Sequence, residues 1–300
     1  MVLQYFILRL ITRITPLFPY SFLLFVGRIL GNIYYIFVKK QVNRARDNIK
    51  KCLDVSDEKA EQITKSMCQN IGMSFMEITA TRGLNAENIQ KYVKIEREDY
   101  LWEAVNENKG VIMLAIHMDN WEWLGAALSL HGYPLTSFNK KQPSESINKI
   151  LHDLRSSTGI ETFERGTTET ITAARAMKKG KMLGFIADQD GGYDGIFVPF
   201  FGKMASTPVG PAYFARKFKS PIVPVFIVRD PKGGHKTIVY DKFYYEDTGD
   251  EKKDMYECTY RMTKIIEEVI RNYPDNWLWF QKRWNTPYSP QEEDEKHADA

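Results

Sequence analysis

Residues 111–128 have the sequence VIMLAIHMDNWEWLGAAL, in which an apolar run meets a histidine and a second apolar run follows. The first run is short, contains β-branched residues and follows Gly110, so it predicts a buried β-strand. The second run predicts a helix, whose first turn Asp119 or Asn120 can cap. His117 then stands at the carboxyl end of a strand, where open α/β sheets bind their ligands.

Glu122 lies five positions after His117, just inside the predicted helix. From there its carboxylate can reach back to the imidazole and hold it as a general base, since an unperturbed pKa near ~6.5 suits work at neutral pH. Asp119 is a rival for this partner role, although its position is more typical of a helix cap. On spacing alone, an ordinary loop histidine and a glutamate that favours the helix dipole remain the alternative.

Predicted strands and helices alternate along the chain. Strands are predicted at 93–95, 111–116, 135–138, 161–163, 182–187, 222–228 and 236–245, and helices at 55–83, 99–107, 121–128, 144–156, 168–178, 206–217 and 253–272. This alternation indicates an α/β fold with a mixed, mostly parallel sheet flanked by helices. We expect a single domain over 41–290 and a disordered acidic tail over 291–300.

Residues 1–40 are rich in Leu, Ile, Phe and Tyr, but arginines and prolines interrupt them. No clean apolar stretch of about 18 residues is evident, so we expect two short amphipathic or partly inserted helices as a membrane-associated segment. No cleavage site of a secretory signal follows. The basic cluster after this segment suits an anionic membrane surface; it comprises Lys39, Lys40, Arg44, Arg46, Lys50 and Lys51. An ordinary buried helical hairpin is the alternative.

Composition narrows the class of protein. A net charge of +3 is too small to indicate a nucleic-acid partner. Cys52, Cys68 and Cys258 are widely spaced and form no C-x-x-C pair, so neither a disulfide framework nor a zinc knuckle is indicated. We expect all three cysteines to be small buried apolar residues in a reducing compartment.

Five ordered blocks resemble the motifs of one family. They are HMDNWE at 117–122, TFERG at 162–166, ADQDGG at 187–192 with FVPFFG at 197–202, IVPV at 222–225, and YPDNWLWFQKRW at 273–284. These blocks resemble the bacterial lipid A biosynthesis acyltransferases of the lauroyl/myristoyl type, a branch of the lysophospholipid acyltransferase superfamily, whose first block is H-x4-D/E. The resemblance covers most of the chain, to about Thr286.

The resemblance implies transfer of an acyl chain from a thioester, on acyl carrier protein or coenzyme A, to a hydroxyl of a membrane glycolipid. It implies no cofactor and no metal. His117 would be the general base, and Glu122 would fix its tautomer and stabilise the imidazolium. Arg165 would hold a phosphate or the developing oxyanion, since its planar fork suits both; an exposed loop arginine is the alternative. Because no G-x-S-x-G elbow is present, we expect direct transfer without an acyl-enzyme.

Asp188, Gln189 and Asp190 close another predicted strand, so they should lie at the same edge of the sheet as His117. With Asn120 they are the expected contacts of the acceptor, although plain turn residues would look the same. A localisation at the cytoplasmic face of the inner membrane is implied. Two alternatives stay open: the same chemistry on another glycolipid, such as a phosphatidylinositol mannoside, and a lipid-binding membrane-surface protein without catalysis.

Two aromatic segments also allow two interpretations. Residues 197–201 could line a channel for the acyl tail or could pack in the core. Trp277, Trp279 and Trp284 could lie at the membrane boundary, which tryptophan favours, or could be buried.

Overall fold

The computed structural model describes residues 2–139, 143–164 and 169–289. Its helices, in chain order, are α1 (Val2–Ile14), α2 (Tyr20–Phe37), α3 (Lys39–Leu53), α4 (Asp57–Thr79), α5 (Glu98–Asn106), α6 (Trp121–Leu130), α7 (Glu145–Ser157), α8 (Glu169–Lys178), α9 (Gly210–Phe218) and α10 (Glu251–Asn272). Its strands are β1 (Val93–Lys94), β2 (Val111–Ala115), β3 (Leu135–Asn139), β4 (Glu161–Glu164), β5 (Met182–Ile186), β6 (Ile196–Phe200), β7 (Lys203–Thr207), β8 (Ile222–Arg229) and β9 (His235–Val239).

Seven strands form one sheet in the order β1-β9-β8-β2-β5-β3-β4. Neighbouring strands are parallel except β8 and β9, which run antiparallel. Helices cover the sheet, and β2 is buried along its whole length, as expected for a strand packed on both faces. The predicted α/β class with a mostly parallel sheet is confirmed.

The register of the central strands decides which loops meet. β2 and β5 are parallel neighbours, and Ala115 lies opposite Ile186 at their carboxyl ends. The residues that follow the two strands therefore leave the sheet side by side. This edge carries both His117 and Asp188, each two residues beyond the end of its strand.

The segment 196–218 differs from the predicted structure. We expected a helix over 206–217, but β7 continues to Thr207 and α9 begins only at Gly210. β6 and β7 form a separate antiparallel hairpin, and Pro208 ends its second strand while Pro211 suits the first turn of α9. Val198, Phe200 and Phe201 are buried in the core, so the packing interpretation of 197–201 is the correct one.

The amino-terminal segment forms α1 and α2. The expectation of two short helices is wrong for α2, because its 18 residues are long and apolar enough to cross a membrane by length and composition. Pro19 precedes this helix rather than breaking it. Both helices and the turn between them expose large apolar side chains; these are Phe6, Ile7, Leu10, Ile11, Ile14, Leu17, Phe18, Phe22, Phe25, Ile29, Leu30, Ile33, Ile36 and Phe37.

Glycines bring α2 and α4 into backbone contact. A Cβ added at Gly72 would lie 2.1 Å from the carbonyl oxygen of Gly27, and one added at Gly31 would lie 2.3 Å from that of Cys68. Side chains extend the contact, since Gln69 donates to Asn32 over 2.9 Å. The opposite face of α4 packs into the core. Helix α2 is therefore joined to the body of the protein along its length.

Two predictions about buried residues can be compared with the core. The three cysteines are free and buried, as predicted. Trp277 and Trp279 are also buried, with 1% and 0% of their surface exposed, so the membrane-boundary interpretation is wrong for these two. The predicted acidic tail, 291–300, lies outside the described residues.

Candidate active site

His117 and Asp188 form a hydrogen-bonded pair at the carboxyl edge of the sheet. The imidazole Nδ1 lies 2.7 Å from Oδ1 of the carboxylate. Because a carboxylate only accepts, Nδ1 carries the proton, and Nε2 is the ring nitrogen that can accept one. The strand register explains the contact, since both residues leave adjacent parallel strands at the same height.

Asp188 is held by a set of N–H donors. Its Oδ2 accepts from the backbone N–H of His117 at 3.1 Å, from Trp277 Nε1 at 2.7 Å and from Gln281 Nε2 at 2.9 Å. Complete burial raises the pKa of this carboxyl, but the charge of His117 and the hydrogen bonds outweigh it and lower the pKa to about 2. Asp188 is therefore a fixed negative charge against the imidazole.

Glu122 does not occupy the expected place beside His117. Its carboxylate forms a two-pronged pair with Arg155 of α7, with Arg155 Nε 2.8 Å from Oε2 and an Nη 2.5 Å from Oε1. Glu122 is the second residue of α6, and this position carries its side chain across to α7 rather than back to the strand end. The expected pairing of Glu122 with His117 is thus replaced by Asp188, which we had expected to contact substrate.

Asp119 and Asn120 also differ from expectation. Asn120, not Asp119, caps α6, because its Oδ1 accepts from the N–H of Trp123. Its amide nitrogen donates to Glu77, and the residue is 0% exposed, so the expectation that Asn120 contacts substrate is wrong. Asp119 has a positive φ of 42° and points its carboxylate into a buried group of charges.

The rest of the expected acceptor contacts are divided between the groove and the body of the protein. Gln189 lines the groove beside His117. Asp190 accepts hydrogen bonds from the N–H and the hydroxyl of Thr286 at 3.2 and 2.6 Å, so it anchors the carboxyl-terminal segment. Asp188 is buried and cannot reach a substrate. Arg165 lies outside the described residues.

A groove of about 1270 Å³ opens over His117. Its volume exceeds the ~300–1,000 Å³ typical of small-molecule pockets. The polar part contains Glu122 and Arg155, and the apolar part is lined by Met113, Leu124, Leu135, Phe138, Leu151, Ile160 and Phe185. A site of this kind can hold a long apolar chain with its polar end beside His117.

Helix α1 borders this groove. Tyr5 donates its hydroxyl proton to Asp153 at 3.1 Å, and the ammonium of Lys149 lies 4.5 Å from the centre of the Tyr5 ring. Asp153 and Lys149 both belong to α7 and both line the groove. Helix α1 therefore packs against α7, the helix that forms one wall of the groove.

Comparison with known proteins identifies the family of the chain. Residues 1–286 match the model of the family described as bacterial lipid A biosynthesis acyltransferase. The chain belongs to this acyltransferase family. It is 25% identical to the lipid A biosynthesis palmitoleoyltransferase of Escherichia coli (strain K12) over 272 residues. These residues are 89% of this chain and 86% of that protein. It is 21% identical to the lipid A biosynthesis lauroyltransferase of the same organism over 272 residues, 89% and 87% of the two chains.

A third relative is named for a different glycolipid. The phosphatidylinositol mannoside acyltransferase of Mycolicibacterium smegmatis is 24% identical over 191 residues, which are 62% of this chain and 60% of that protein. The relatives are thus named for acyl transfer in two glycolipid settings. As a member of this family, the chain is an acyltransferase that works with an acyl donor and a lipid acceptor.

Three residues of the candidate site cannot be identified from the sequence. Nothing local in the sequence distinguishes Arg155 from other helix arginines. Trp277 and Gln281 lie in the block that resembles the family, but their sequence separation from Asp188 gave no sign of contact. The dense run of tryptophans at 277–284 was the available signal, since buried indole N–H groups need acceptors.

Proposed function

We propose that this acyltransferase moves a fatty acyl chain from a thioester, carried by acyl carrier protein or coenzyme A, to a hydroxyl of a lipid A-type glycolipid. The observation that carries the proposal is the His117–Asp188 pair at the mouth of a large groove with an apolar lining. A base next to a space for a long chain is what O-acylation of a lipid requires.

His117 Nε2 removes the hydroxyl proton as the acceptor oxygen attacks the thioester carbonyl carbon. Asp188, on Nδ1–H, stabilises the imidazolium that results, as the carboxylate of a catalytic triad does. Collapse of the tetrahedral intermediate breaks the C–S bond, and the imidazolium gives its proton to the departing thiolate. The new ester and the free thiol account for every atom, and no acyl-enzyme is needed. Base catalysis of this type contributes about 10²–10⁴-fold.

The remaining groove residues have supporting roles. The Glu122–Arg155 pair links α6 to α7 across the groove and sets its width at the level of the base. Gln189, at the groove wall, donates to or accepts from acceptor hydroxyls. We keep Arg165 as the cation that holds an acceptor phosphate or the oxyanion, since its block resembles the arginine-centred block of the family.

We also propose that α1 and α2 rest on a bilayer. Their exposed apolar side chains form a patch of the type that marks membrane or protein contact. Helix α2 lies in the membrane surface rather than across it, because α4 packs alongside it and would have to enter the bilayer with its exposed Gln62 and Lys65. The groove, bordered by α1, then opens beside the lipid from which the acceptor comes.

The basic cluster after α2 attracts an anionic membrane surface less than its sequence indicates, because several of its charges are already paired. Arg46 pairs with Glu61, Lys50 pairs with Asp57, and Arg44 donates to the carbonyl of Phe280. Lys39, Lys40 and Lys51 are exposed and supply attraction to an anionic leaflet. The cytoplasmic face of the inner membrane is the proposed location, where the thioester donors are made.

Lipid profiling with a matched variant tests the proposal. Purified protein in anionic vesicles is given acyl carrier protein or coenzyme A thioesters together with a lipid A precursor, and products are measured by mass spectrometry. Wild-type protein should add one acyl chain, and folded His117→Ala should add none. Transfer only to a phosphatidylinositol mannoside would favour the second acceptor, which the mycobacterial relative supports. Transfer that survives His117→Ala would contradict the mechanism.

A further inference from the structure

Behind the His117 turn, four buried ionisable side chains form one group that the reaction does not use. This ion cluster consists of Glu77 of α4, Asp119, Arg229 at the end of β8 and His235 at the start of β9. At most 13% of any of these four side chains is exposed. Two negative and two positive groups balance when His235 is protonated.

The contacts within the ion cluster are close. Arg229 donates to both carboxylate oxygens of Glu77 at 2.8 and 3.0 Å and to Asp119 at 2.9 Å. His235 Nδ1 lies 2.6 Å from Asp119, and its Nε2 lies 3.1 Å from Glu77. Burial lowers the pKa of His235, but the two carboxylates outweigh this and raise it to about 9. The imidazolium is therefore retained at neutral pH.

The elements around the cluster add neutral donors. Tyr20 of α2 donates to Glu77 at 2.7 Å, and Asn120 donates to the other oxygen of Glu77 at 3.0 Å. Ser74 of α4 donates to Asp119 at 3.2 Å. The neighbouring elements thus add neutral donors to both carboxylates of the cluster, and the charged and neutral donors together fix the orientation of these carboxylates.

Asp119 connects this cluster to the catalytic base. It is two residues after His117 and adopts φ 42°, a left-handed conformation that glycine favours and that other residues adopt when their surroundings enforce it. Its backbone N–H donates to the carbonyl of Asn276 at 2.7 Å, while the carbonyl of His117 accepts from Leu278 at 3.3 Å. Backbone hydrogen bonds to residues 276 and 278 thus hold the main chain of the turn, and the hydrogen bonds of the Asp119 carboxylate to Arg229 and His235 hold its side chain.

We propose that the ion cluster positions His117, by holding residue 119 in the left-handed turn that aims the base into the groove. Asp119, Arg229 and His235 are positioning residues, and they act through the backbone of 117–120. The inference rests on the proposed function, because it takes His117 as the base. Loss of the carboxylate lets the turn relax, and displacement of a reacting group by about 1 Å can cost 10²-fold in rate.

Asp119→Gly tests the idea sharply, because glycine can adopt the left-handed backbone without strain but has no carboxylate to anchor it there, so a loss of activity reports the missing anchor rather than a steric clash. We expect kcat to fall about 10- to 100-fold with KM within about twofold of wild type. His235→Gln leaves the loop sequence intact and should act in the same direction. This variant also leaves the cluster with a net negative charge, which favours the protonated form of His117. The acidic limb of the pH–rate profile should therefore move to higher pH. Glu267→Gln is the control, since this buried carboxylate of α10 accepts from Phe201 and Lys264 instead.

The outcomes separate the two proposals. If folded Asp119→Gly and His235→Gln keep wild-type kcat while His117→Ala is inactive, the positioning role is overturned and the base stands. If His117→Ala is active, the proposed function fails first. If both cluster variants fail to fold while Glu267→Gln folds, the cluster serves stability alone, and the positioning role is again overturned. A kcat loss in Glu267→Gln equal to that in Asp119→Gly would also overturn it.

Discussion

Replacing Asp188 by asparagine is the most informative single change to the site. The two side chains have almost the same shape, so the substitution alters hydrogen-bond direction rather than packing. In the wild type Oδ2 accepts from three N–H groups, and Oδ1 accepts from His117 Nδ1–H. An amide has one oxygen and one NH2 group, and it can satisfy only one of these two sides.

The three donors decide how the amide turns. If its NH2 group took the Oδ2 position, it would face the N–H groups of His117, Trp277 and Gln281 and leave all three buried donors without an acceptor. The oxygen must therefore take that position, and the NH2 group must face the imidazole. His117 Nδ1 is then forced to accept, which moves the ring proton to Nε2, the atom that takes the substrate proton in the proposed mechanism.

The expected magnitude follows from this wrong tautomer. An aspartate-to-asparagine change in a serine-protease triad lowers kcat by about 10⁴ for the same reason. We expect a loss of about 10³–10⁴-fold in kcat here, which corresponds to about 4 to 5.5 kcal/mol of transition-state stabilisation. KM should change little, because Asp188 is buried beneath the groove rather than in it.

Initial rates of acyl transfer to a lipid A precursor, measured by mass spectrometry, provide the assay. Asp254→Asn is the matched control, because Asp254 is a buried carboxylate that accepts from the N–H and hydroxyl of Thr248. Circular dichroism melts should show that both variants are folded. A folded Asp188→Asn protein with kcat within tenfold of wild type would refute the tautomer reasoning and the pair itself.

Other changes have smaller expected effects. Glu122→Gln removes one charge from the pair with Arg155, so steady-state kinetics should show KM raised several-fold and kcat reduced much less than in Asp188→Asn; an equal kcat loss would restore Glu122 as a partner of the base. Gly72→Ala places a Cβ against the carbonyl of Gly27, and a thermal melt should show a loss of about 1–3 kcal/mol, whereas an unchanged melt would contradict the close contact. Because the folded pKa of His235 is raised to about 9 from 6.5, its stabilisation is complete below about pH 6.5 and is lost as pH rises through 9. Urea titrations from pH 6 to 10 should show a steady fall in the free energy of unfolding, and His235→Gln should flatten that fall.

Much of the architecture is readable from local pattern. The run at 111–116 is apolar on both faces and short, which is enough to predict a central strand with His117 at its end. The helix after it and the alternation of elements are equally local properties. The hairpin of β6 and β7 was missed because β7, KMAST, is short and lacks the bulk of a typical strand.

The partners of the site residues could not be found in this way. Proximity in sequence favours Glu122 as the partner of His117, but the partner in the structure, Asp188, is 71 positions away. That contact depends on β5 lying beside β2 in one register, and strand order is decided by packing of the whole sheet. Asp119 likewise meets Arg229 and His235, whose proximity requires β8 and β9 to lie next to the central strands.

Trp277 and Gln281 donate to Asp188 from about 90 residues further along the chain, and this separation has a consequence for biosynthesis. A ribosome makes the strands that carry His117 and Asp188 well before it makes these two donors. Until residue 281 has left the exit tunnel and closed over the carboxylate, a nascent chain has its sheet but lacks two of the groups that keep Asp188 ionised. The two side-chain donors that complete the surroundings of Asp188 are therefore made last, after all seven strands of the sheet.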